Sequence, residues 1–397
     1  MLLFPDNMKI KKTLIITKNC FPPVIVGPAI LLGNLFRRFE GNYCVLMGNL
    51  EDEFRSIDNS FWFPCEYYYT VFPKQNNGWQ RFRSILKDLT LVLKSTMKGL
   101  KVVKREKIKN ILLVPSYLES LAALLIHWIT GKRLIVYLFD IYYVSNRFGP
   151  GWSSLFMRLI EPVMLRFADI VLVTAEPTQD YYKKKYNIDS VVLPHSVELE
   201  EYNNLSDCKL KKSKETAIIF TGEVSEAQLD SILNMVNTVS NFPELNARFI
   251  IAANASRAII ESLGIQGSSV SITNVNRDEI PALQKSADIL FLPLSFTWQS
   301  PEIIKTAVPS KMPEYLAAGR PILVHAPEYS YVAQYARSEH FAAVVDEPDC
   351  NELGKVISDL ICDEKLCRTL VENARKTVKK HDSIIVSEKL QSILQYD

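Results

Sequence analysis

The residues with the most chemical promise lie between Pro309 and Pro321, in the run Pro-Ser-Lys-Met-Pro-Glu-Tyr-Leu-Ala-Ala-Gly-Arg-Pro. Lys311 supplies an ammonium, and Glu314 supplies a carboxylate one helical turn later. Ser310 is a favourable N-cap, and Pro313 suits a first turn whose N–H groups lack helical partners. Gly319 can take the left-handed conformation that closes a helix. The apolar Ile322-Leu323-Val324 that follows reads as a buried strand. A helix start beside a lysine is an anion site suited to phosphate, and Glu314 would accept hydrogen bonds from hydroxyls attached to that phosphate. Together they would hold a sugar nucleotide. The same spacing also describes an ordinary capped helix with a solvated lysine and glutamate.

A chain of 397 residues has room for two domains, each with its own core. At 48% hydrophobic and 23% charged, the composition is that of a soluble globular protein. The seven cysteines (Cys20, Cys44, Cys65, Cys208, Cys350, Cys362, Cys367) are odd in number and form no Cys-x-x-Cys pair. They read as reduced thiols of a cytosolic protein and argue against a disulfide frame or a zinc site. The most apolar stretch, Leu121 to Ile129, is too short to span a membrane and contains His127. Residues 1–12 lack the apolar core of a signal peptide and read as a leader before the first strand.

Net charge is only +2, but between Gln80 and Asn110 ten basic side chains face two acidic ones. Within that stretch, residues 80–105 carry Leu86, Leu89, Leu93, Met97 and Leu100 at helical spacing. Lys87, Lys94, Lys98, Lys101 and Arg105 form an adjacent stripe. A basic amphipathic helix of this kind is either a solvated face or a dock for anionic lipid. Nucleic acid is disfavoured, because neither a binding motif nor an overall basic balance accompanies it.

Apolar runs predict strands at 13–17, 111–114, 134–138, 170–173 and 190–193, alternating with helices at 27–39, 117–129, 152–167 and 177–186. Such alternation argues for a doubly wound parallel sheet. Residues 198–216 read as a polar surface linker. A second alternating unit then follows, with strands at 217–221, 248–253, 269–272 and 288–292 and helices at 226–239, 255–263 and 278–286. Residues 293–308 are expected to be a long loop carrying Glu302, Lys305 and Thr306, and residues 350–397 to be helical only. Three segments fall where open parallel sheets bind ligands, at the carboxyl ends of strands: Phe21–Pro28, Asp140, and Gly222-Glu223.

The stretch Pro-Ser-Lys-x-x-Glu-Tyr-Leu-Ala-Ala-Gly-Arg-Pro-Ile resembles the C-terminal donor-binding element of the family 4 glycosyltransferases, retaining sugar transferases of the GT-B fold. The resemblance implies an α/β chain with two Rossmann-like doubly wound domains facing a central cleft. An acceptor-side domain would cover 1–195 and a donor-binding domain 196–380, with a helix over 381–397 crossing back to the first. It further implies donor contacts from Gly222, Glu223, Lys305, Thr306, Ser310, Lys311 and Glu314, with His195 in the turn entering the cleft. Asp140, Lys311 and Glu302 would carry catalytic roles, and the loop through Pro23 and Gly27 would face the acceptor.

Several positions depart from the family pattern. Pro28 replaces a second glycine, and Phe139 replaces the histidine of a His-Asp pair. Glu223 and Gln228 stand where two phosphate-binding cations are usual, and Thr306 stands where a first glutamate is expected. These losses throw the phosphate charge onto Lys311, with Lys305 as a second cation and Glu302 as the substitute glutamate. The activity implied is a metal-independent, retaining transfer of a hexose from a nucleoside-diphosphate sugar, UDP by family frequency. The acceptor would be a hydroxyl of a glycan or lipid-linked molecule in polysaccharide or glycoconjugate synthesis, and no cofactor is expected. Such a protein would work in the cytoplasm or on the cytoplasmic face of the membrane. A catalytically inactive sugar-nucleotide-binding subunit and a sugar-nucleotide epimerase are the competing readings.

Overall fold

A computed structural model describes residues 11–18, 27–39, 42–49, 65–69, 78–116, 118–141, 152–205, 215–253 and 256–395. Pro23 lies outside these residues. The chain divides into two compact units, residues 1–194 with 386–397, and residues 195–385.

The first unit runs β1 (Thr13–Lys18), α1 (Gly27–Phe36), β2 (Tyr43–Asn49), β3 (Cys65–Tyr69), α2 (Gly78–Arg105), β4 (Asn110–Leu113), α3 (Glu119–Thr130), β5 (Arg133–Leu138), α4 (Trp152–Phe167), β6 (Ile170–Val173), α5 (Glu176–Tyr186) and β7 (Val191–Val192). Its seven strands form one sheet in the order β3-β2-β1-β4-β5-β6-β7. Every pairing is parallel. Buried strands such as Thr-Leu-Ile-Ile-Thr read as continuous apolar runs because helices cover both faces. Leu14, Ile16, Leu134 and Val136 point to the side packed by Val102, Ile126 and Met164 of α2, α3 and α4. The alternate residues Ile15, Val45 and Ile135 face α1 and the C-terminal helix.

The second unit runs α6 (Leu199–Asn203), β8 (Thr216–Thr221), α7 (Leu229–Asn241), β9 (Ala247–Ala252), α8 (Arg257–Ser262), β10 (Val270–Thr273), α9 (Ile280–Ser286), β11 (Ile289–Pro293), α10 (Pro301–Thr306), α11 (Met312–Ala318), β12 (Ile322–His325), α12 (Tyr331–Glu339), β13 (Ala342–Val345), α13 (Cys350–Cys362) and α14 (Glu364–Thr377). The last helix, α15 (Ser383–Gln395), begins in this unit and ends in the first. Strand order is β10-β9-β8-β11-β12-β13, the same winding as in the first unit. Winding reverses between β8 and β11, which pair with each other through Ile218 and Ile289. That reversal opens a crevice at the carboxyl edge of the sheet.

The amphipathic α2 turns its leucine stripe outward: Leu86, Leu89, Leu93 and Met97 are 49–59% exposed. The buried face is instead Val92, Ser95, Thr96, Gly99, Val102 and Val103. Small residues there let α2 approach α3 closely, and a Cβ at Gly99 would stand 2.3 Å from the Cδ1 of Ile126. The expected loop over 293–308 contains α10, started by Pro301 in its first turn. The expected linker opens with α6, whose Tyr202 is 2% exposed because it packs beneath α9. Strands β2, β3 and β13 and helix α12 lie in segments for which the sequence suggested no element.

Candidate functional site

The carboxyl end of β8 delivers Phe220, Thr221 and Gly222 to the crevice. Gly222 adopts φ +110°, a conformation that glycine tolerates and L side chains rarely adopt. Lys311 occupies the space a side chain would need there: a Cβ on Gly222 would lie 2.4 Å from its Cε. Its ammonium sits 4.6 Å from the centroid of the Phe220 ring, within cation–π range. Burial lowers the Lys311 pKa to about 8, against the opposing pull of Glu314 and then Glu223. Lys311 is thus a half-buried cation close to its own titration point.

Lys311 is also the residue that precedes α11, so Ser310 is not the N-cap. The backbone turns at 310 and 311, and the Tyr315 N–H donates to the Lys311 carbonyl at 2.9 Å. Pro313 falls in the first turn and Gly319 closes the helix at φ 68°, as the sequence suggested. Helix α11 turns Tyr315 inward, where its hydroxyl accepts from the Thr221 N–H at 2.9 Å and so ties α11 to β8.

Glu314 is held on both oxygens. Arg277 donates to Oε1 at 2.7 Å, and the Gln284 amide donates to Oε2 at 3.1 Å. Gln284 is fully buried and also donates to Thr221 Oγ1 at 2.9 Å. It accepts in turn from the Tyr202 hydroxyl at 2.6 Å. Burial works against the Arg277 cation, but Glu314, with help from Tyr202 and Glu201, holds the guanidinium above its usual range. Arg277 is positioned by a capping box at Asn276 and Glu279, with the Asn276 N–H donating to Glu279 at 3.0 Å.

The structure therefore brings together Gly222, Glu223, Lys311 and Glu314, with Ser310 in the adjoining turn. Glu302 and Lys305 sit exposed on α10 and, among the described residues, make no hydrogen bond or ion pair to that cluster. Thr306 is buried, its hydroxyl donating back to the Glu302 carbonyl at 2.9 Å. His195 is buried and neutral: burial first, then the neighbouring His381, lowers its pKa to about 3. Its carbonyl accepts from the His381 ring at 2.8 Å. Gln228 immediately precedes α7, and its buried amide oxygen has no hydrogen-bond partner among the described residues. In the first unit, Asp140 stands two residues beyond the carboxyl end of β5, and Gly27 opens α1. Sequence reading missed Arg277, Gln284 and Tyr202. Gln284 fell inside the helix expected over 278–286 but was given no role there, and the Asn-Arg-Asp-Glu capping signature at 276–279 is the local signal that precedes it.

The two-sheet architecture is the GT-B fold, and residues 246–377, all in the second unit, match the family of glycosyl transferases group 1. The structure resembles that of Anabaena Alr3699/HepE in complex with UDP and glucose, with TM-score 0.69 and 14% identity over 98% of this chain and 100% of that one. It also resembles a glycosyltransferase from Rickettsia africae ESF-5, with TM-score 0.67 and 14% identity over 97% and 98%. WaaG, a glycosyltransferase involved in lipopolysaccharide biosynthesis, aligns with TM-score 0.62 and 15% identity over 96% and 99%. No curated protein matches the chain by sequence.

Proposed function

We propose that the protein transfers a hexose from a nucleoside-diphosphate sugar, a UDP-sugar by preference, to a hydroxyl of a glycan or lipid-linked acceptor, with retention at the anomeric carbon. The observation that carries this reading is the juxtaposition of Lys311 with Glu314 beside Gly222 at the winding reversal of the second sheet. In the neighbour Alr3699/HepE, UDP and glucose are bound within the same fold.

Lys311 and the backbone N–H groups at 310 and 311 hold the diphosphate. Gly222 lets the ligand approach the backbone, while Glu223 keeps the local charge balanced. Glu314 takes the ribose hydroxyls. A carboxylate offers about four lone-pair sites, so two remain after Arg277 and Gln284 are served. As charge develops on the leaving phosphate, the Lys311 cation is already in place, and loss of one such group typically costs about 10²- to 10³-fold in rate. The chain carries no Asp-x-Asp pair, so protein cations rather than a metal meet that charge in this reading. In this reading Lys305 adds a second cation from the exposed side of α10 and Glu302 addresses the transferred sugar, while buried Thr306 braces that helix through the Glu302 carbonyl. Asp140 and the loop through Pro23 and Gly27 serve the acceptor. Helix α2 would rest on an anionic membrane surface when the acceptor is lipid-linked.

The test is binding and slow hydrolysis of a panel of nucleotide sugars, beginning with UDP-hexoses, by the wild type and Lys311→Ala. Binding that falls about a hundredfold or more in the variant supports the reading. Binding indifferent to Lys311 overturns it. The pH dependence carries the same signature. The folded-state pKa lies below that of a free lysine, so the cation is complete below about pH 7 and lost as pH rises through about 8. Donor affinity is expected to be flat below that range and then to weaken by up to about tenfold per pH unit.

A further inference from the structure

We infer that α2, α3 and α4 form a membrane-docking face on which the first unit lies flat against an anionic phospholipid surface. The inference deepens the lipid-linked acceptor reading above and rests on residues outside the donor site.

The exposed leucines of α2 recur at intervals of three and four and so form one straight stripe. Lys94, Lys98 and Lys101 run beside it, all exposed. Bulky apolar side chains also break the surface of the neighbouring helices, with Ile129 63% and Leu159 62% exposed. Exposed Trp128 meets Phe167 edge-on at 5.2 Å, joining α3 to α4. Between the ends of α2 and α3 lies a recess of about 440 Å³ with Leu100 and Val103 among its lining and four lysines around it: Lys104, Lys107, Lys109 and Lys132.

Charge selects the occupant. Helices α2, α3 and α4 hold three acidic side chains, Asp88, Glu119 and Glu161, and the last two are fully buried. What these helices present outward is therefore apolar and basic, the combination that seats an interfacial helix in the headgroup layer. From Leu86 to Arg105 the α2 axis spans about 30 Å, enough for the helix to lie along the surface rather than touch it at a point. Helix α2 enters from β3 at the carboxyl edge of the sheet, the edge at which open α/β sheets take ligands. A lipid-borne acceptor would thus reach that edge without leaving the bilayer plane.

The experiment is co-sedimentation with vesicles of phosphatidylglycerol and phosphatidylcholine, against pure phosphatidylcholine, at low and high salt. The wild type is expected to bind the anionic vesicles and to be released by salt. Lys94→Glu/Lys98→Glu/Lys101→Glu should weaken partition by about a hundredfold or more, since each basic residue contributes about fivefold. Leu89→Glu/Leu93→Glu should weaken it at least tenfold. Binding of UDP-sugar should survive in both variants, which would also verify their folding. Equal binding to neutral vesicles, no binding to either, or variants that bind like the wild type would overturn the inference. So would a dimer in solution that the leucine variants dissociate, because the face would then be a contact between copies. Vesicle binding by a protein that takes no nucleotide sugar would leave the docking face standing and remove the transferase reading.

Discussion

Two sets of lysines divide the chemistry of this molecule. Lys311 is half-buried in the second unit, packed over Phe220 and against Gly222, and is expected to act at one point on one ligand. The lysines of α2 stand in water on the first unit, and their value lies in number and alignment. The half-buried cation belongs to a network in which Arg277, Gln284, Tyr202, Thr221 and Tyr315 hold Glu314 and its surroundings in one arrangement. The contrast teaches that a charge out of water needs a scaffold of satisfied partners, whereas a charge in water needs only neighbours of its own sign and a surface to meet.

The largest break in that contrast should come from Gly222→Ala. Positive φ costs an alanine about 1–3 kcal/mol, and its Cβ can be accommodated only if the flexible end of Lys311 moves away. Titration calorimetry with a UDP-sugar should then show affinity reduced at least tenfold, although the lysine itself is untouched. Gln284→Leu comes next. It strips hydrogen bonds from Glu314, Thr221 and Tyr202 at once, and each buried polar group left unpaired costs about 1–3 kcal/mol. Scanning calorimetry should record a lower melting temperature, and donor affinity should fall with it. The smallest effect sharpens the contrast from the other side. Lys94→Ala with Lys98→Ala should leave the unfolding free energy from urea titration within about 0.5 kcal/mol of wild type. A larger loss would mean that these side chains hold the fold of the first unit as well as its surface charge.

Much of the fold was legible because the central strands are buried on both faces and read as unbroken apolar runs, as β1, β6, β8 and β11 do. Strand β2 escaped notice because Gly41 and Gly48 bracket a run that mixes Tyr, Cys and Met with Val and Leu. Helix α2 was visible as a basic amphipathic helix, but which of its faces packs inward was not. Its packing face is built of serine, threonine, glycine and valine, whereas its most hydrophobic stripe faces out, so the usual inference from leucine spacing fails. In the site, Lys311, Glu314 and Gly319 were marked by the start and stop signals of a short helix, and Gly222 by its place at the carboxyl end of a strand. Gln284 was not, since it lies 30 residues from Glu314 and only the fold brings the two together.

The helix that closes the chain adds a constraint of timing. Val386, Leu390 and Leu394 of α15 complete the core between β1, β2 and α1, and the carbonyls of Ile393 and Leu394 accept from Arg133 and Asn110. Residues 386–395 follow the entire second unit in the chain. A ribosome has therefore finished the second unit before the first unit can seal its core. During synthesis the first unit must wait with one apolar flank uncovered, so a nascent chain arrested near residue 380 would be a natural client for a chaperone.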